Sequence, residues 1–248
     1  MKSKLHFCCM HVWVVVMIFL PSIGAMEKGF KVSFQYDGNW SGNAWVEYLG
    51  NITSLKEFTV CHWEKLRYLA PGETTVWTYC SISSKNDAPF RCIGVYSSGA
   101  RSSANRMMKI QAWLEGWTTP AITVSSEPIR YRHRTWNHIC WIYSGKKAIN
   151  KFYWNGVMIG YLSLNLEHKA PFDVPVIDGS KDAFKSAFII GQDQDSVKGG
   201  FSAAESFYGE IAGLNMWDSD IGSSKINALA QCKSFELGNV VSSTTSEC

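Results

Sequence analysis

The sequence predicts an all-β protein, and two observations support this class. Short runs rich in β-branched and aromatic residues recur along the chain, separated by Gly, Pro, Asn and Ser, while helical periodicity is scarce. Many short strands at fairly regular spacing are typical of a sandwich or a barrel rather than of alternating helices and strands. The clearest predicted strands are residues 58–63, 75–79, 109–114 and 136–143.

One hairpin and one helix can be placed within this pattern. Asn155-Gly156 interrupts the apolar run 152–159, and this pair supplies the two positive-φ residues of a type I′ turn. The one predicted helix begins at Ser223 or Ser224 and ends near Gln231. We expect a serine to cap its free amides. Its apolar side would be formed by Ile226, Leu229 and Ala230.

The amino terminus has the pattern of a signal peptide. Lys2 and Lys4 precede an apolar run over residues 7–20, and small residues follow up to Ala25. The run is shorter than the roughly 20 residues that span a bilayer, which favours a cleaved signal over the alternative of a retained signal anchor. We therefore expect a signal peptide over residues 1–25, secretion, and one domain over 26–248 with a tail from about residue 233.

The overall charge of the chain bears on one class of partner, nucleic acid. The chain has 24 Lys and Arg against 21 Asp and Glu, and two of the cations, Lys2 and Lys4, lie in the signal. The remaining chain is nearly neutral, so bulk charge gives no support for nucleic-acid binding.

Cysteine use agrees with export. Two of the eight cysteines lie in the signal, and the six that remain are Cys61, Cys80, Cys92, Cys140, Cys232 and Cys248. An even number in an oxidising compartment predicts three disulfides, and the spacing of paired Cys-x-x-Cys zinc sites does not occur. The alternative to a structural disulfide at Cys140 is a thiol nucleophile beside His138. We expect His62 and His133 to be surface residues of strands or loops rather than ligands.

The chain contains two sequons for N-linked glycosylation, which can be used only if the chain is secreted. They are Asn39-Trp40-Ser41 and Asn51-Ile52-Thr53. Each asparagine is either glycosylated or an unmodified loop residue, and the sequence leaves both readings open.

A run of acidic residues suggests a metal site. Asp193, Asp195 and Glu205 offer hard oxygen ligands within a short Gly-rich stretch, and Gln194 adds a backbone carbonyl. Calcium takes six to eight oxygens from flexible loops of this kind, whereas transition metals prefer histidine or thiolate. The alternative reading is that the aspartates are ordinary turn residues.

Several stretches together carry a family resemblance. They are 136–140 followed by 154–156, the long run 190–218, and the shorter segments 58–61 and 226–229. This pattern resembles the pentraxin family over most of residues 30–240. The resemblance implies a two-sheet antiparallel jelly-roll sandwich of the concanavalin and laminin-G type, with one short helix near the carboxyl terminus.

The chain departs from the family pattern in three places. Ile142 and Tyr143 stand where the signature has Ser or Thr followed by Trp, and both remain compatible with a strand. Residues 161–186 form a longer segment than in the family. The additional cysteines resemble those of arthropod-type secreted pentraxins.

The resemblance implies a calcium-ligand set. It assigns Asp193 and Asp195 to a pair of ions and the Gln194 carbonyl to one of them. In the family a further acid and a Gln complete the shell of the second ion. Here Ser202 stands at the position of that acid and Glu205 at the position of the Gln, so the acidic and the neutral ligand have changed places. Whether this chain binds the second ion is left open. Asn86 and Asp87 match a ligand pair on an earlier hairpin. A shift in register would instead place Lys85 against the ion, and an ordinary hairpin turn is the alternative.

The cysteine pairings have two different sources. The resemblance implies a disulfide between Cys61 and Cys140. Nearness in sequence suggests the pairs Cys80 with Cys92 and Cys232 with Cys248.

These expectations define a function and two rivals. The resemblance implies a secreted, non-enzymatic, calcium-dependent recognition protein of innate immunity. Its partners would be phosphocholine, phosphoethanolamine or carbohydrate ligands on microbial or damaged cells, and it would assemble as a cyclic homo-oligomer. The rivals are a laminin-G-like adhesion module and a jelly-roll glycoside hydrolase. The hydrolase would need two facing carboxylates, and no closely spaced Glu-x-Asp-x-x-Glu run occurs.

Overall fold

The computed structural model describes residues 30–35, 41–52, 54–67, 73–82, 90–99, 107–115, 122–125, 129–131, 134–145, 147, 149–163 and 186–242. Over these residues the chain forms two antiparallel sheets and a single short α-helix, α1 (Ser223–Ala230). A short 3-10 helix, Ala203–Glu205, lies before the last strand. The predicted all-β fold with two sheets is confirmed.

The structure has thirteen strands among the described residues, divided between the two sheets. They are β1 (Lys31–Phe34), β2 (Val46–Tyr48), β3 (Glu57–Leu66), β4 (Glu73–Ile82), β5 (Phe90–Gly99), β6 (Met107–Glu115), β7 (Ile122–Ser125), β8 (Ile129–Arg130), β9 (Asn137–Ser144), β10 (Ile149–Trp154), β11 (Val157–Ser163), β12 (Ser186–Ile190) and β13 (Gly209–Trp217). The six-stranded sheet has the order β1-β13-β3-β9-β10-β11. The seven-stranded sheet has the order β2-β12-β4-β5-β6-β7, with β8 paired to β6.

A stack of aromatic rings joins the two sheets. Trp77 of β4 lies 5.1 Å from Phe188 and 6.1 Å from Trp141 of β9, measured between ring centroids. Phe58 meets Trp141 edge-on at 4.8 Å. All four rings are buried. Trp77 and Phe188 belong to the seven-stranded sheet and Phe58 and Trp141 to the six-stranded sheet, so the contact of Trp77 with Trp141 joins the two sheets. Because successive side chains of a strand point to opposite faces, these contacts fix which residues face inward along each strand.

The interior also holds an ionisable pair that the sequence did not suggest. His62 was expected on a surface, but it is buried, with Nε2 3.3 Å from Oε2 of the buried Glu64. Successive side chains of β3 point to opposite faces, and Val60 and Leu66 point into the core. His62 and Glu64 lie at alternate positions between them and therefore point inward as well. Burial, followed by the Glu64 charge, raises the pKa of the neighbouring Tyr131 hydroxyl well above its ordinary value.

Each sheet carries a disulfide on its outer face. The structure joins Cys61 to Cys140, which are directly opposite on β3 and β9. It joins Cys80 to Cys92, which are directly opposite on β4 and β5. Cys232 is exposed and forms no disulfide with a described residue, and Cys248 lies outside the described range, so that pairing stays a prediction.

Helix α1 covers the first of these disulfides, but it begins differently from the expectation. Ile226 is buried in one cluster with Cys61 and Cys140. The predicted serine cap is wrong, because the N-cap residue is Gly222 and no side chain caps the helix. Asp220 Oδ1 instead accepts a hydrogen bond from the Gly222 amide at 2.9 Å, which shapes the turn ahead of the helix.

The predicted hairpin turn is confirmed. Asn155 and Gly156 have φ values of 49° and 82°, and they connect β10 to β11. Both values lie in the left-handed region that a type I′ turn requires. A side chain at Gly156 would also approach Asn227 and Ala230 of α1 within 3.1 Å, so the turn packs against the helix.

Some sequence expectations fall outside the described residues. They concern residues 1–25, 164–185, Asn39, Asn86, Asp87 and Cys248. The second sequon asparagine, Asn51, is exposed. Within the part of the chain that the structure covers, no helix has both the length and the apolar character needed to cross a bilayer.

The aromatic stack leads to a stability prediction. Trp141→Ala should lower the free energy of unfolding by about 3–5 kcal/mol, because it opens a cavity between the sheets. Trp136→Ala is the matched control, since Trp136 is 37% exposed. The control should lose less than about 1 kcal/mol. Urea denaturation of both variants measures the difference, and equal losses would show that the interior stack is not what holds the sheets together.

Candidate metal centre

The loop between β12 and β13 lies on the outer face of the seven-stranded sheet. Trp77 and Tyr79 of β4 face the core, so Thr78 and Cys80 between and beyond them face outward. Thr78 Oγ1 donates a hydrogen bond to the Gln192 carbonyl at 3.1 Å. The loop therefore covers the outward side chains of β4 as α1 covers those of the other sheet.

The buried side chain of Gln194 attaches this loop to the sheet. Its Nε2 donates to Thr78 Oγ1 at 2.9 Å and to the Ala187 carbonyl at 3.3 Å. Its Oε1 accepts from the Lys198 amide at 2.9 Å. One amide group thus connects the loop to two neighbouring strands and to its own distal turn. Breaking these contacts would leave buried polar groups without partners.

A tight turn returns the chain to Asp195. Ser196 and Gly199 exchange two backbone hydrogen bonds, at 3.3 and 2.9 Å. Gly200 has φ +79°, and a Cβ on it would lie 2.4 Å from the Asp195 Cβ. Only glycine fits at this approach. The turn therefore leaves the exposed Asp195 carboxylate at the outer surface of the loop.

An ion pair anchors the turn to the edge of the sheet. Lys198 Nζ lies 2.6 Å from Oε1 of Glu47 on β2. The Lys198 side chain is 31% exposed and that of Glu47 is 16% exposed. This pair adds little stability by itself because it is partly solvated, but it places a cation beside the acidic loop.

The remaining predicted ligands lie along the same loop. The half-buried Asp193 accepts a hydrogen bond from the Gln194 amide through Oδ1 at 2.8 Å. Ser202 Oγ accepts from the Ala204 amide at 3.2 Å and caps the 3-10 helix. Glu205 ends that helix and is half-buried. All of these side chains offer oxygen atoms.

The structure does not bring the three acids together as a preformed cluster. Among the described residues, the group of His, Cys, Asp or Glu side chains close enough to hold one ion is Cys61, His138 and Cys140, whose ligand atoms lie within 4.8 Å of one another. That group is no metal centre, because its two sulfur atoms form a disulfide. Burial, and secondarily the nearby His62, lowers the pKa of His138 to about 3. The imidazole is therefore neutral at ordinary pH. The expected disulfide of Cys140 with Cys61 is confirmed, and the alternative of a thiol nucleophile at Cys140 is wrong.

The Gln194 carbonyl faces the sheet in this structure. Its oxygen lies 3.8 Å from the sulfur of Cys80 and 3.6 Å from that of Cys92. To ligate an ion at the exposed Asp195, this peptide would have to rotate. Asn86 and Asp87 lie outside the described residues.

The available donors fit calcium in chemical type. Asp193, Asp195, Ser202 and Glu205 provide carboxylate and hydroxyl oxygen, which suits a hard cation with variable coordination. Separated carboxylates are also what mutual repulsion favours when no cation offsets it. Binding of an ion would thus draw the loop together.

Sequence reasoning missed a second polar network behind the loop. Buried Gln192 donates from Nε2 to the Ser41 carbonyl at 3.4 Å. Gln35 also bonds to Ser41. Its Nε2 donates to the Ser41 carbonyl at 2.7 Å, and its Oε1 accepts from the Ser41 amide at 3.1 Å. Trp45 adds a ring contact with Phe201 at 5.1 Å. The only sequence signal for this network is the pair of glutamines in Gly-Gln-Asp-Gln, which does not identify its partners.

Comparison with known proteins places the fold in a family. The model described as the Pentaxin family matches residues 41–246. Neuronal pentraxin-1 of Rattus norvegicus is 26% identical over 231 residues, covering 88% of this chain and 45% of that protein. C-reactive protein 1.4 of Limulus polyphemus is 25% identical over 225 residues, covering 89% of this chain and 81% of that protein. The chain thus spans less than half the length of the neuronal relative.

Solved structures agree on the fold. The native heptameric SAP-like pentraxin of Limulus polyphemus superposes with a TM-score of 0.57 at 19% identity, covering 80% of this chain and 81% of that one. Domain 4 of an extracellular arabinanase from Geobacillus stearothermophilus gives a TM-score of 0.52 at 16% identity, covering 77% and 74%. These matches show the sandwich fold alone. With the family model covering most of the sequence, the chain belongs to the pentraxin family.

Proposed function

We propose that this chain is a secreted recognition protein whose loop 193–205 binds calcium and presents open coordination to an anionic, phosphate-bearing ligand. The observation that carries the proposal is a loop of oxygen donors attached to an outer sheet face through the buried Gln194 amide. Its acid at the surface, Asp195, is exposed and directly accessible to an ion. A bound calcium with water in its remaining positions can exchange that water for a phosphate oxygen.

The ligands divide into two groups within the loop. We assign Asp193 and Asp195 to the first ion, because they flank the buried Gln194 and lie on one short segment. Ser202 and Glu205 supply oxygens from the 3-10 helix for the opposite side or for a second ion. The Gln194 carbonyl joins the first ion only if its peptide turns away from the Cys80 and Cys92 sulfurs. Asn86 and Asp87 stay expectations from sequence.

Binding rather than catalysis is the function that this family membership supports. Pentraxins are generally non-enzymatic binding proteins, and the curated relatives named above carry no enzyme name. We propose a cyclic homo-oligomer, supported by the heptameric Limulus protein with the same fold. A ring would present many weak sites to one surface and raise the overall affinity without new contacts.

Retention on a ligand matrix tests the proposed function. The secreted protein should stay on immobilised phosphoethanolamine or phosphocholine with calcium and leave when EDTA is added. Size-exclusion chromatography with light scattering, run on the eluted material, would report the subunit number. If the protein passes through both matrices in calcium, the phosphate-ligand proposal is wrong.

Calcium affinity should depend unequally on the loop acids. Asp195→Ala should weaken calcium binding by about a hundredfold and Glu205→Ala by about tenfold, because the first ion keeps Asp193 and Asp195 in the second variant. Calorimetric titration measures both affinities. Asp218→Ala is a matched control, since the exposed Asp218 bonds to Asn239 away from the loop. The ligand assignment fails if the Glu205 variant loses as much affinity as the Asp195 variant, or more.

The buried amide should matter for loop order as well as stability. Gln194→Leu removes the acceptor of the Lys198 amide and the donor to Ala187. The free energy of unfolding should fall by about 1–3 kcal/mol, and calcium affinity should fall with it.

The control for this change is Gln231→Leu, because Gln231 is exposed and bonds only within its own helix end, to Asn227. That variant should lose less than about 0.5 kcal/mol and keep its calcium affinity. Unchanged stability and affinity in Gln194→Leu would show that the amide does not hold the loop.

A further inference from the structure

The outer face of the six-stranded sheet carries a second surface with concentrated charge. On this face Lys65 of β3 is paired with Glu210 of β13, and Lys31 of β1 lies beside them. Lys65 lies four positions beyond Cys61, or about 13 Å along the strand from the disulfide that α1 covers. The charged surface is therefore beside the helix-covered region rather than beneath it.

Three cations converge there on one carboxylate. The nearly buried Glu210 lies 2.9 Å from Lys65 Nζ, 2.9 Å from Arg67 and 3.5 Å from Lys31 Nζ. The three cationic side chains keep exposures of 26%, 28% and 32%, while that of Glu210 is 6%. One negative charge cannot balance three positive charges, so these four described side chains together carry a net positive charge.

The charge is reinforced at its edge. Burial acts to raise the pKa of the Glu210 carboxyl, but hydrogen bonds from Lys65 and Arg67 and the charge of Lys31 outweigh burial and lower it. Glu210 therefore stays ionised and all three cations stay paired to it. A fourth cation, Arg134, is exposed and donates its backbone amide to the Leu66 carbonyl at 2.9 Å.

An aromatic ring lies within the same surface. Trp136 is 37% exposed, and Lys65 Nζ lies 5.3 Å from its ring centroid. Trp63, half-buried, packs against the His138 ring with centroids 4.9 Å apart. The basic patch, which we define as Lys31, Lys65, Arg67, Arg134 and Trp136, thus combines a positive field with an accessible indole.

The described ion pairs at the helix end of the same sheet are balanced. Lys151 lies 3.2 Å from Asp220, and Lys147 lies 3.2 Å from Glu57 and 3.9 Å from Asp220. Two cations there meet two carboxylates. Among the ion pairs of the described residues on this face, the charge imbalance is therefore confined to the basic patch.

We propose that the basic patch binds a polyanionic carbohydrate chain, of the sulfated or carboxylated kind, without calcium. Sulfate or carboxylate groups would pair with the cations, and the C–H face of a sugar ring would pack on Trp136. A lipid surface fits less well, because the most exposed apolar side chains of the hairpin, Val157 and Met158, lie outside the patch.

This site lies on the opposite side of the sandwich from the candidate metal centre. The loop 193–205 covers the outer face of the seven-stranded sheet, and the basic patch is on the outer face of the six-stranded sheet. A protein could occupy both sites at once. The two sites can also be tested separately, because only one of them is expected to need calcium.

The first test measures binding of dextran sulfate in EDTA by calorimetry, with uncharged dextran as the reference polymer. We expect dextran sulfate to bind at an ionic strength of about 0.15 M and the affinity to fall as salt is raised. The double variant K65Q/R67Q should bind about tenfold more weakly, because two charges are lost while glutamine can still hydrogen-bond Glu210.

A matched control keeps the charge change constant. K147Q/K151Q removes two cations from the same sheet face at the helix end, and its affinity should change by less than about twofold. Thermal unfolding of each variant verifies folding. Equal losses in both double variants would overturn the proposal, since the effect would follow net charge rather than the patch. Absence of dextran sulfate binding by the wild type would also overturn it.

The second test identifies the class of ligand. Trp136→Ala should weaken dextran sulfate binding but leave binding of polyglutamate unchanged, because only a sugar ring packs on the indole. Tighter binding of polyglutamate than of dextran sulfate by the wild type would assign the patch to an acidic protein. Preference for phosphatidylserine vesicles would assign it to a lipid surface. Either result overturns the carbohydrate assignment, while retention on phosphoethanolamine in calcium reports on the other site.

Discussion

The contact between Trp77 and Trp141 across the interior is the constraint on which the rest of the molecule depends. Their rings lie 6.1 Å apart and join strands of different sheets. Since side chains alternate along a strand, fixing these two rings inward fixes Thr78 and Cys80 on one outer face and Cys140 on the other. The placement of disulfides, loop and helix follows from this packing.

The outer faces of the two sheets share one arrangement, a disulfide covered by another segment of the chain. The covering segments differ, and so do the functions that each face can have. Each carries a disulfide between directly opposed residues, Cys61 with Cys140 and Cys80 with Cys92. A short helix covers the first, and a polar loop covers the second. The loop 193–205 is anchored by a buried amide and can keep its acids at the surface. Helix α1 packs through Ile226 over one end of the six-stranded sheet and leaves the other end of that sheet exposed. Binding sites can therefore form on both faces.

Local signals in the sequence predicted much of this fold, while contacts between distant segments escaped it. Asn155-Gly156 specified its turn because two adjacent residues determine that geometry. The burial of His62 and the orientation of the Gln194 carbonyl depend on strands far along the chain, so no local pattern reports them. The Gly222 cap was missed although its contact with Asp220 is local. For the candidate site, sequence supplied the oxygen donors but not the separation of the acids in the structure.

Amide hydrogen exchange across the loop 193–205, measured in calcium and in EDTA, tests the central claim most directly. If the separated acids are drawn together by an ion, exchange in this loop should slow markedly with calcium, while exchange in β9 should stay the same. Asp195→Ala should abolish the difference between the two conditions. Identical exchange of the loop with and without millimolar calcium would contradict the account, even though the sandwich fold would stand.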